Sequence, residues 1–434
     1  MRQRLTRREF VKGAAAAAGA VGVPLIIPAA SLGAGGKVAP SNRITIGCIG
    51  VGGQGTGNMR AFLGIEEARV VAVCDAYEDR RQRAKGLVDK KYGDHGCAMF
   101  GDFRELLARP GIDAVLIATQ DHWHALIALA ALAAGKDMYL EKPLGVAVKE
   151  CQAIRAAVRR SGLIVQVGTQ QRSTRNFRFA CELARNGYVG KVHTVQVAAE
   201  GPNYKPGYKG PMTPQPVPAG FDWDIWLGPA PQEPYNPGRV AWPDWYLIWD
   251  YCAGFIVNWG VHHLDIAHWG CPDVGRVPFE LDARVKYRNE GFTDNSESWM
   301  ATFTYENGLK MVFSDHFQQK IGTRFIGDKG WVHADRAGIW AEPESLLKVT
   351  IKPEELHLHE SDSHHADFIR SVKTRRDPVS DIDAGHIASY LGMVADIGGR
   401  LQRKLKWDPK AEEFPGDAEA NRMLARPMRA PWHL

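Results

Sequence analysis

The chain has no disulfide plan. Its seven cysteines (48, 74, 97, 151, 181, 252 and 271) are odd in number and scattered, and two of them sit inside apolar strand-like runs where they read as small core residues. They also lack the paired spacing that a zinc site requires. Net charge is missing too once the first residues are set aside. Of 54 basic and 49 acidic residues, six basic and one acidic fall within residues 1–37, which leaves 48 of each in the remainder. That balance argues against a polyanionic partner such as nucleic acid or an anionic membrane. Long apolar runs are absent: the one near the start is broken by Gly19, Gly22, Pro24 and Pro28 and spans a bilayer poorly. No repeats or low-complexity tracts follow it. What is there is a 434-residue chain with ordinary apolar and charged fractions, long enough for two or three domains with their own cores.

The opening "RLTRREFVKGAAAAAGAVGVPLIIPAASLGAGG" has a basic start, an apolar alanine-rich middle and a small-residue end. Within it Arg7 and Arg8 stand ahead of Phe10 and Lys12, which resembles a twin-arginine export signal. Residues 1–40 are therefore expected to be a leader outside the fold, and the mature protein to be periplasmic or otherwise exported. A route that carries already folded proteins suits an exported chain with no disulfide plan.

After the leader, "RITIGCIGVGGQGTGNMRAFL" runs from an apolar β-like segment through Gly50, Gly52 and Gly55 into a helical pattern. Glycines at this spacing allow a tight turn and let backbone amides approach a pyrophosphate at a helix N-terminus. A second strand, "ARVVAVC", ends at Asp75, where an acid binds ribose hydroxyls. An aspartate there favours NAD over NADP, although Arg80 and Arg81 are donors a 2′-phosphate could use. The following alternation of β and α patterns predicts a parallel doubly wound sheet. Loops at the carboxyl ends of its strands, "TQDHWH" and "EKPLG", should face the cofactor crevice. Asp121 is a candidate cap for the next helix. His122 and His124 have no third ligand nearby, so no metal is expected. In Glu141-Lys142-Pro143, a partly desolvated lysine beside a nicotinamide could relay a proton; the alternative is a surface Lys–Glu pair.

The second half opens with an aromatic stretch, Tyr204 to Trp259, that holds six of the thirteen tryptophans. Rings with polar handles can stack on the apolar faces of a sugar. Gln170 and Arg172 lie just past a strand at the crossing between domains, where Arg172 either meets substrate or pairs with an acid. In "GFIVNWGVHHLDIAHWG", Asn258, His262, Asp265 and Trp269 recur at steps of four, three and four, which predicts one face of a helix. His262 is then a candidate base, with Asp265 orienting its ring, while Trp259 and His263 point about a quarter turn away. The C-terminal "SHHADFIRSVKTRRDPVSDIDAGHIASYLGMVADIGGRL" reads as two helices joined by a Pro-containing turn.

Together "GCIGVGGQG", "ATQDHWH", "EKPLG", "VGTQQRS", "AGFIVNWGVHHLDIAHW" and "HHADFIRSVKTRRDPVSDIDAGH" resemble the glucose-fructose oxidoreductase, inositol dehydrogenase and rhizopine-catabolism (Gfo/Idh/MocA) family. The resemblance implies an α/β fold: an N-terminal Rossmann domain, here residues 43–165, and a C-terminal α/β domain with a large, mostly antiparallel sheet, here 166–434. It implies NAD held by Gly50, Gly52, Gly53, Gln54, Gly55, Asp75, Thr119, His124, Glu141, Lys142 and Gln170. Catalysis would fall to Lys142, His262 and Asp265, and substrate contact to Arg172, Asn258, Trp259, His262 and His263. A carbohydrate substrate and a homo-oligomer, dimer or tetramer, are implied as well. Ala253, Asn258 and Gln120 depart from the family pattern, Asn258 replacing an aspartate. The main reading is hydride transfer between a sugar or glycoside carbon and a tightly bound NAD. NAD-recycling glycoside cleavage, with His263 as a further base, and a non-catalytic NAD sensor are the alternatives.

Overall fold

The computed structural model describes residues 38–201 and 205–434, so the leader and its arginine pair lie outside the described residues. From Ile44 the chain alternates strand and helix: β1 (Ile44–Ile49), α1 (Gly53–Leu63), β2 (Ala68–Cys74), α2 (Glu78–Tyr92), β3 (Ala98–Phe100), α3 (Phe103–Ala108), β4 (Ala114–Ile117), α4 (Asp121–Ala133), β5 (Asp137–Leu140), α5 (Val148–Ser161) and β6 (Val165–Val167). The six strands pair in parallel in the order 3-2-1-4-5-6. Parallel strands are covered on both faces, which is why "AVLI" of β4 is apolar without alternation and fully buried. The order reverses between β1 and β4, and the crevice at that switch point is where such sheets bind ligands.

A second sheet of eight strands follows, in the order β13-β12-β11-β7-β10-β9-β8-β14. Its strands are β7 (Val192–Ala199), β8 (Phe279–Tyr287), β9 (Ser296–Tyr305), β10 (Lys310–Asp315), β11 (Gly322–Gly327), β12 (Gly330–Ala334), β13 (Ile339–Glu342) and β14 (Leu405–Trp407). Every pairing is antiparallel except β7 with β10. Burial alternates along β8, the pattern of a sheet with one packed face. Helix α6 (Arg175–Arg185), helix α7 (Gly260–Gly270) and the 20-residue α9 (Ile382–Leu401) cover that face, and α9 also packs on α5 of the first sheet. The paired helices read from the C-terminal sequence are α8 (His364–Thr374) and α9, with Pro378 in the turn between them. Among the described residues no helix is long and apolar enough to cross a membrane.

Gly260, at the start of α7, lets the helix lie directly on the sheet. A Cβ there would stand 2.7 Å from the Phe313 ring on β10. The side chains just before and after it are thereby delivered to the crevice above the first sheet.

Candidate active site

The glycine turn after β1 is built for close backbone approach. Gly50 has φ +80°, and a Cβ on it would lie 2.5 Å from the carbonyl of Ala118. At Gly55 a Cβ would stand 1.8 Å from the Gly50 carbonyl, while Gly53 has open space in front of it. The N-terminus of α1 thus opens unobstructed into a cavity of about 890 Å³, the size class of a ligand site. Asp75, just past β2, accepts from the amides of Val51 (2.9 Å) and Tyr77 (3.0 Å). Burial pushes its carboxyl up, against the pull of Arg80 and those two amides. Arg80 lies 4.0 Å from Asp75 and over the Tyr77 ring, and both Asp75 and Arg80 line the cavity. The residues fit a nicotinamide dinucleotide: amides for the pyrophosphate, a carboxylate for ribose, and no side chain in the way.

Deeper in, Glu141 is a buried hub. Its Oε1 accepts from Gln54 (3.0 Å), Asn58 (2.8 Å) and Gln170 (3.1 Å), so its charge is satisfied by amides rather than by its neighbour Lys142. Lys142 turns the other way. Its Nζ donates to the Asn258 carbonyl (3.1 Å) and to Asn258 Oδ1. The Asn258 amide in turn donates through Nδ2 to both oxygens of Asp121, each at 3.0 Å, and Asp121 also accepts from Ala253 N. Only one amide orientation suits this chain, because a flip would set oxygen against carboxylate and NH₂ against ammonium. Burial lowers the Lys142 pKa, and the Glu141 and Asp121 charges resist that.

His262 faces the same cavity as Lys142, Asn258 and Trp259. Burial pushes its pKa well below the ordinary imidazole value, and the positive fields of Lys142 and Arg336 push further. Its Nδ1 is buried with no hydrogen-bond partner among the described residues, which leaves Nε2 as the nitrogen open to the cavity. A neutral imidazole beside a cation and in front of open space can accept a proton from a hydroxyl and steady the oxyanion left behind.

Several expected residues lie elsewhere. The stretch from Phe255 is two helical pieces, Phe255–Asn258 and α7, with Trp259 as the joint. Asn258 and His262 meet the cavity, but Asp265 and Trp269 do not share it. Asp265, fully buried, takes both forks of Arg172 (2.7 Å each), and the Arg172 guanidinium lies 5.0 Å from the Trp269 ring centre. Asp265 therefore does not orient His262, and Arg172 is spent on the domain seam rather than on substrate. A buried carboxylate takes the guanidinium because neither charge is tolerable there alone. His263 packs beside Gln171 (3.3 Å) and Phe177 and lies off the cavity wall. His124 lines the cavity but its ring nitrogens face the carbonyls of Pro143 (2.6 Å) and Thr119 (3.1 Å), so it braces the two cofactor-facing loops. His122 likewise faces the carbonyls of Tyr251 and Trp226. Asp121 does not cap α4; its side chain serves Asn258.

The aromatic stretch divides. Trp223, Tyr235 and Tyr251 pack together as a core, whereas Trp226, Trp242, Trp245, Tyr246 and Trp259 line the cavity. Arg336, between β12 and β13, also lines it, and no local sequence pattern pointed there.

Fold and site together define a two-domain dinucleotide-binding protein whose second domain closes an aromatic cavity over the cofactor crevice. In sequence, residues 44–169 match the oxidoreductase family's NAD-binding Rossmann fold and residues 177–434 its C-terminal alpha/beta domain, so the chain belongs to the Gfo/Idh/MocA oxidoreductase family. It is similar to myo-inositol 2-dehydrogenase of Thermotoga maritima, 30% identical over 159 residues, 36% of this chain and 45% of that one. It is also similar to a glycosyl hydrolase family 109 protein of Shewanella sp. (strain W3-18-1), 33% identical over 123 residues, 27% of each chain. The matched part spans less than half the length of either relative. The crystal structure of aldose-aldose oxidoreductase from Caulobacter crescentus complexed with glycerol shares the fold, with TM-score 0.62 and 18% identity over 84% of this chain and 99% of that one.

Proposed function

We propose that the protein is an exported, NAD-dependent oxidoreductase that oxidises a hydroxyl-bearing carbon of a sugar, polyol or glycoside. The observation that carries this reading is the pairing, on one cavity wall, of neutral His262 with Lys142 held by Asn258, next to the glycine turn. Bound NAD supplies the hydride acceptor; Gly50, Gly52 and Gly53 would hold its phosphates and Asp75 its ribose. His262 takes the hydroxyl proton, and Lys142 faces the developing oxyanion with its positive charge. Trp226, Trp242, Trp245 and Trp259 exclude water and offer flat faces to a sugar ring. Because His262 is held neutral, its acid limb in kcat/KM should lie below pH 6.5, and the lowered Lys142 pKa should bring the alkaline limb below the ordinary lysine value.

Free NAD is scarce outside the cytoplasm, so an exported enzyme of this kind would keep its cofactor tightly bound and regenerate it in each cycle. Similarity to a glycosyl hydrolase family 109 protein keeps a second reading open, transient oxidation followed by elimination and reduction. That route needs another base, and His263, the candidate for it, lies off the cavity.

The test is turnover of the purified, cofactor-loaded protein with sugars, polyols and glycosides, read as NADH absorbance and products. Stoichiometric NADH with a keto product supports net oxidation, and released aglycone without NADH supports the second reading. His262→Ala and Lys142→Ala should each cut turnover by about 10²- to 10⁴-fold while NAD affinity stays within a few-fold of wild type. Unchanged turnover in both variants would sink the assignment.

A further inference from the structure

The substrate end of the cavity holds two cations, Lys142 and Arg336, and the three acidic residues of the whole cavity, Asp75 at the cofactor end included, are already engaged. Asp75 accepts two backbone amides, Glu141 three side-chain amides, and Asp121 the Asn258 amide and Ala253 N. Lys142 is answered in part by Asn258, whereas Arg336 is not answered inside the cavity at all. Among the described residues Arg336 makes no hydrogen bond or ion pair. Its guanidinium lies 5.2 Å from the centre of the Trp259 ring, and Glu200 acts on it only through its field.

The turn that carries Arg336 is pinned. Asp335 Oδ1 accepts from the amides of Ala337 (2.7 Å) and Gly338 (2.9 Å), and Asn176 donates to the Asp335 carbonyl (2.9 Å). The guanidinium is therefore presented from a rigid base, which lowers the entropic cost of binding. Trp259 stands between it and the catalytic imidazole, its ring centre 5.8 Å from that of His262.

We propose that the natural substrate is a carboxylated sugar, a uronic or aldonic acid or a glycoside of one, whose carboxylate is bound by Arg336 while Trp259 carries the sugar face and His262 meets the hydroxyl. The inference rests on the oxidoreductase reading for the identity of that hydroxyl, but the carboxylate site stands on the geometry of Arg336 itself. A planar guanidinium matches a carboxylate in a two-point fork. A phosphate dianion would call for further donors, and the cation beside the Arg336 turn, Lys320, is already engaged by Asp335 (3.8 Å) and the Trp340 ring. A neutral sugar would leave the exposed Arg336 guanidinium without a counter-ion in the cavity, whereas Lys142 is already held by Asn258 and by the fields of Glu141 and Asp121. A bound carboxylate also offsets the positive fields that hold down the His262 pKa, so the correct substrate strengthens its own base.

The experiment is direct binding to the full-length, NADH-loaded protein, followed by tryptophan fluorescence and calorimetry. Galacturonate, glucuronate and gluconate are compared with galactose, glucose and glucitol, with glucose 6-phosphate as the phosphate arm. At least one acid should bind tenfold or more tightly than its neutral counterpart, with an advantage that shrinks as salt rises. Arg336→Ala should weaken that acid by about tenfold, the scale of one charge-assisted hydrogen bond, and its neutral counterpart by much less. Arg336→Lys should recover part of the loss, which also controls for misfolding. Equal binding of acids and neutral sugars, no binding of either, tighter binding of the phosphate, or equal weakening of acid and neutral by Arg336→Ala would overturn the proposal. NADH formation with the same compounds is read separately. Arg336-dependent acid binding without any turnover defeats the oxidoreductase reading alone, and turnover of neutral sugars with no acid preference defeats the carboxylate alone.

Discussion

Asn258 stands between a cation and an anion, and both of its side-chain ends are used: Oδ1 by Lys142, Nδ2 by Asp121. An aspartate in its place would put a second carboxylate against Asp121 at hydrogen-bond distance. Two carboxylates that close share a proton, so one pKa rises above its unfolded value. A raised carboxyl pKa contributes stability at low pH that is lost as pH rises through it. Asn258→Asp should therefore melt close to wild type near pH 5 and fall behind it by about 3 kcal/mol at pH 8, the scale for an uncompensated buried charge. The added negative charge should also move the alkaline limb of kcat/KM upward by holding the proton on Lys142. Asp121→Asn should move that limb the other way, since it removes a field that raises the Lys142 pKa. A pH–rate profile of the two variants checks both signs, and limbs that do not move would show that Lys142 does not titrate in the reaction.

At the scale of elements, the aromatic roof of the cavity depends on the end of the chain. Residues beyond Leu424 run back over it: Arg429 donates to the Gly228 carbonyl (2.8 Å) and to Asp224 (2.6 Å), and Arg426 lies over the Trp249 ring. Trp432 meets Trp123 edge to face at 4.8 Å, and Trp123 lines the cavity while donating to the carbonyls of Ile225 and Trp226. The short helix Trp223–Leu227 has too few residues to hold its own position and borrows it from this strap. Removing residues 425–434 should raise the substrate KM by roughly tenfold, on the order of one lost aromatic anchor, with little effect on NAD affinity. Steady-state kinetics with separate NAD titration distinguishes this from global unfolding, which would abolish both.

For the molecule as a whole, buried neutral histidines set its acid tolerance. Burial lowers His122, His333 and His364 to about 4 and His263 and His268 to about 3, and holds His262 well below the ordinary imidazole value. Below pH 6.5 the unfolded chain binds protons at these positions and the folded chain does not. Stability is therefore lost as pH falls from 6.5 toward 4. Glu150, raised by burial to about 7, works in the opposite direction between 4.5 and 7, as do the raised carboxyls of Asp75, Asp250 and Asp381, but the lowered histidines, His365 among them, outnumber these. The melting temperature should drop steeply between pH 6.5 and 4.5 and be nearly flat from 7 to 8.5, as scanning calorimetry across that range would show.

How much was legible follows from range. Gly50, Gly52, Gly55 and Asp75 were readable because a glycine turn between strand and helix is a local backbone requirement, and its spacing is written in consecutive residues. The parallel first sheet was readable for the same reason, since buried strands and amphipathic helices alternate along the chain. The helix of His262 was expected from its period, yet period alone cannot say which part of a face meets a cavity. Trp259 breaks the helix, and Arg172, 93 residues before Asp265, claims the carboxylate that local spacing had assigned to His262. Asp121 reads locally as a helix start, and only the fold brings it across 137 residues to Asn258. Sequence by itself determined the family and the dinucleotide turn, because those rest on short-range patterns, and it offered His262 and Lys142 as candidates, the lysine only through the family resemblance. Tertiary structure decided which charges are neighbours, placing Arg336 in the cavity and Asp265 outside it, because ion pairing in a low-dielectric interior depends on distance in space and not along the chain.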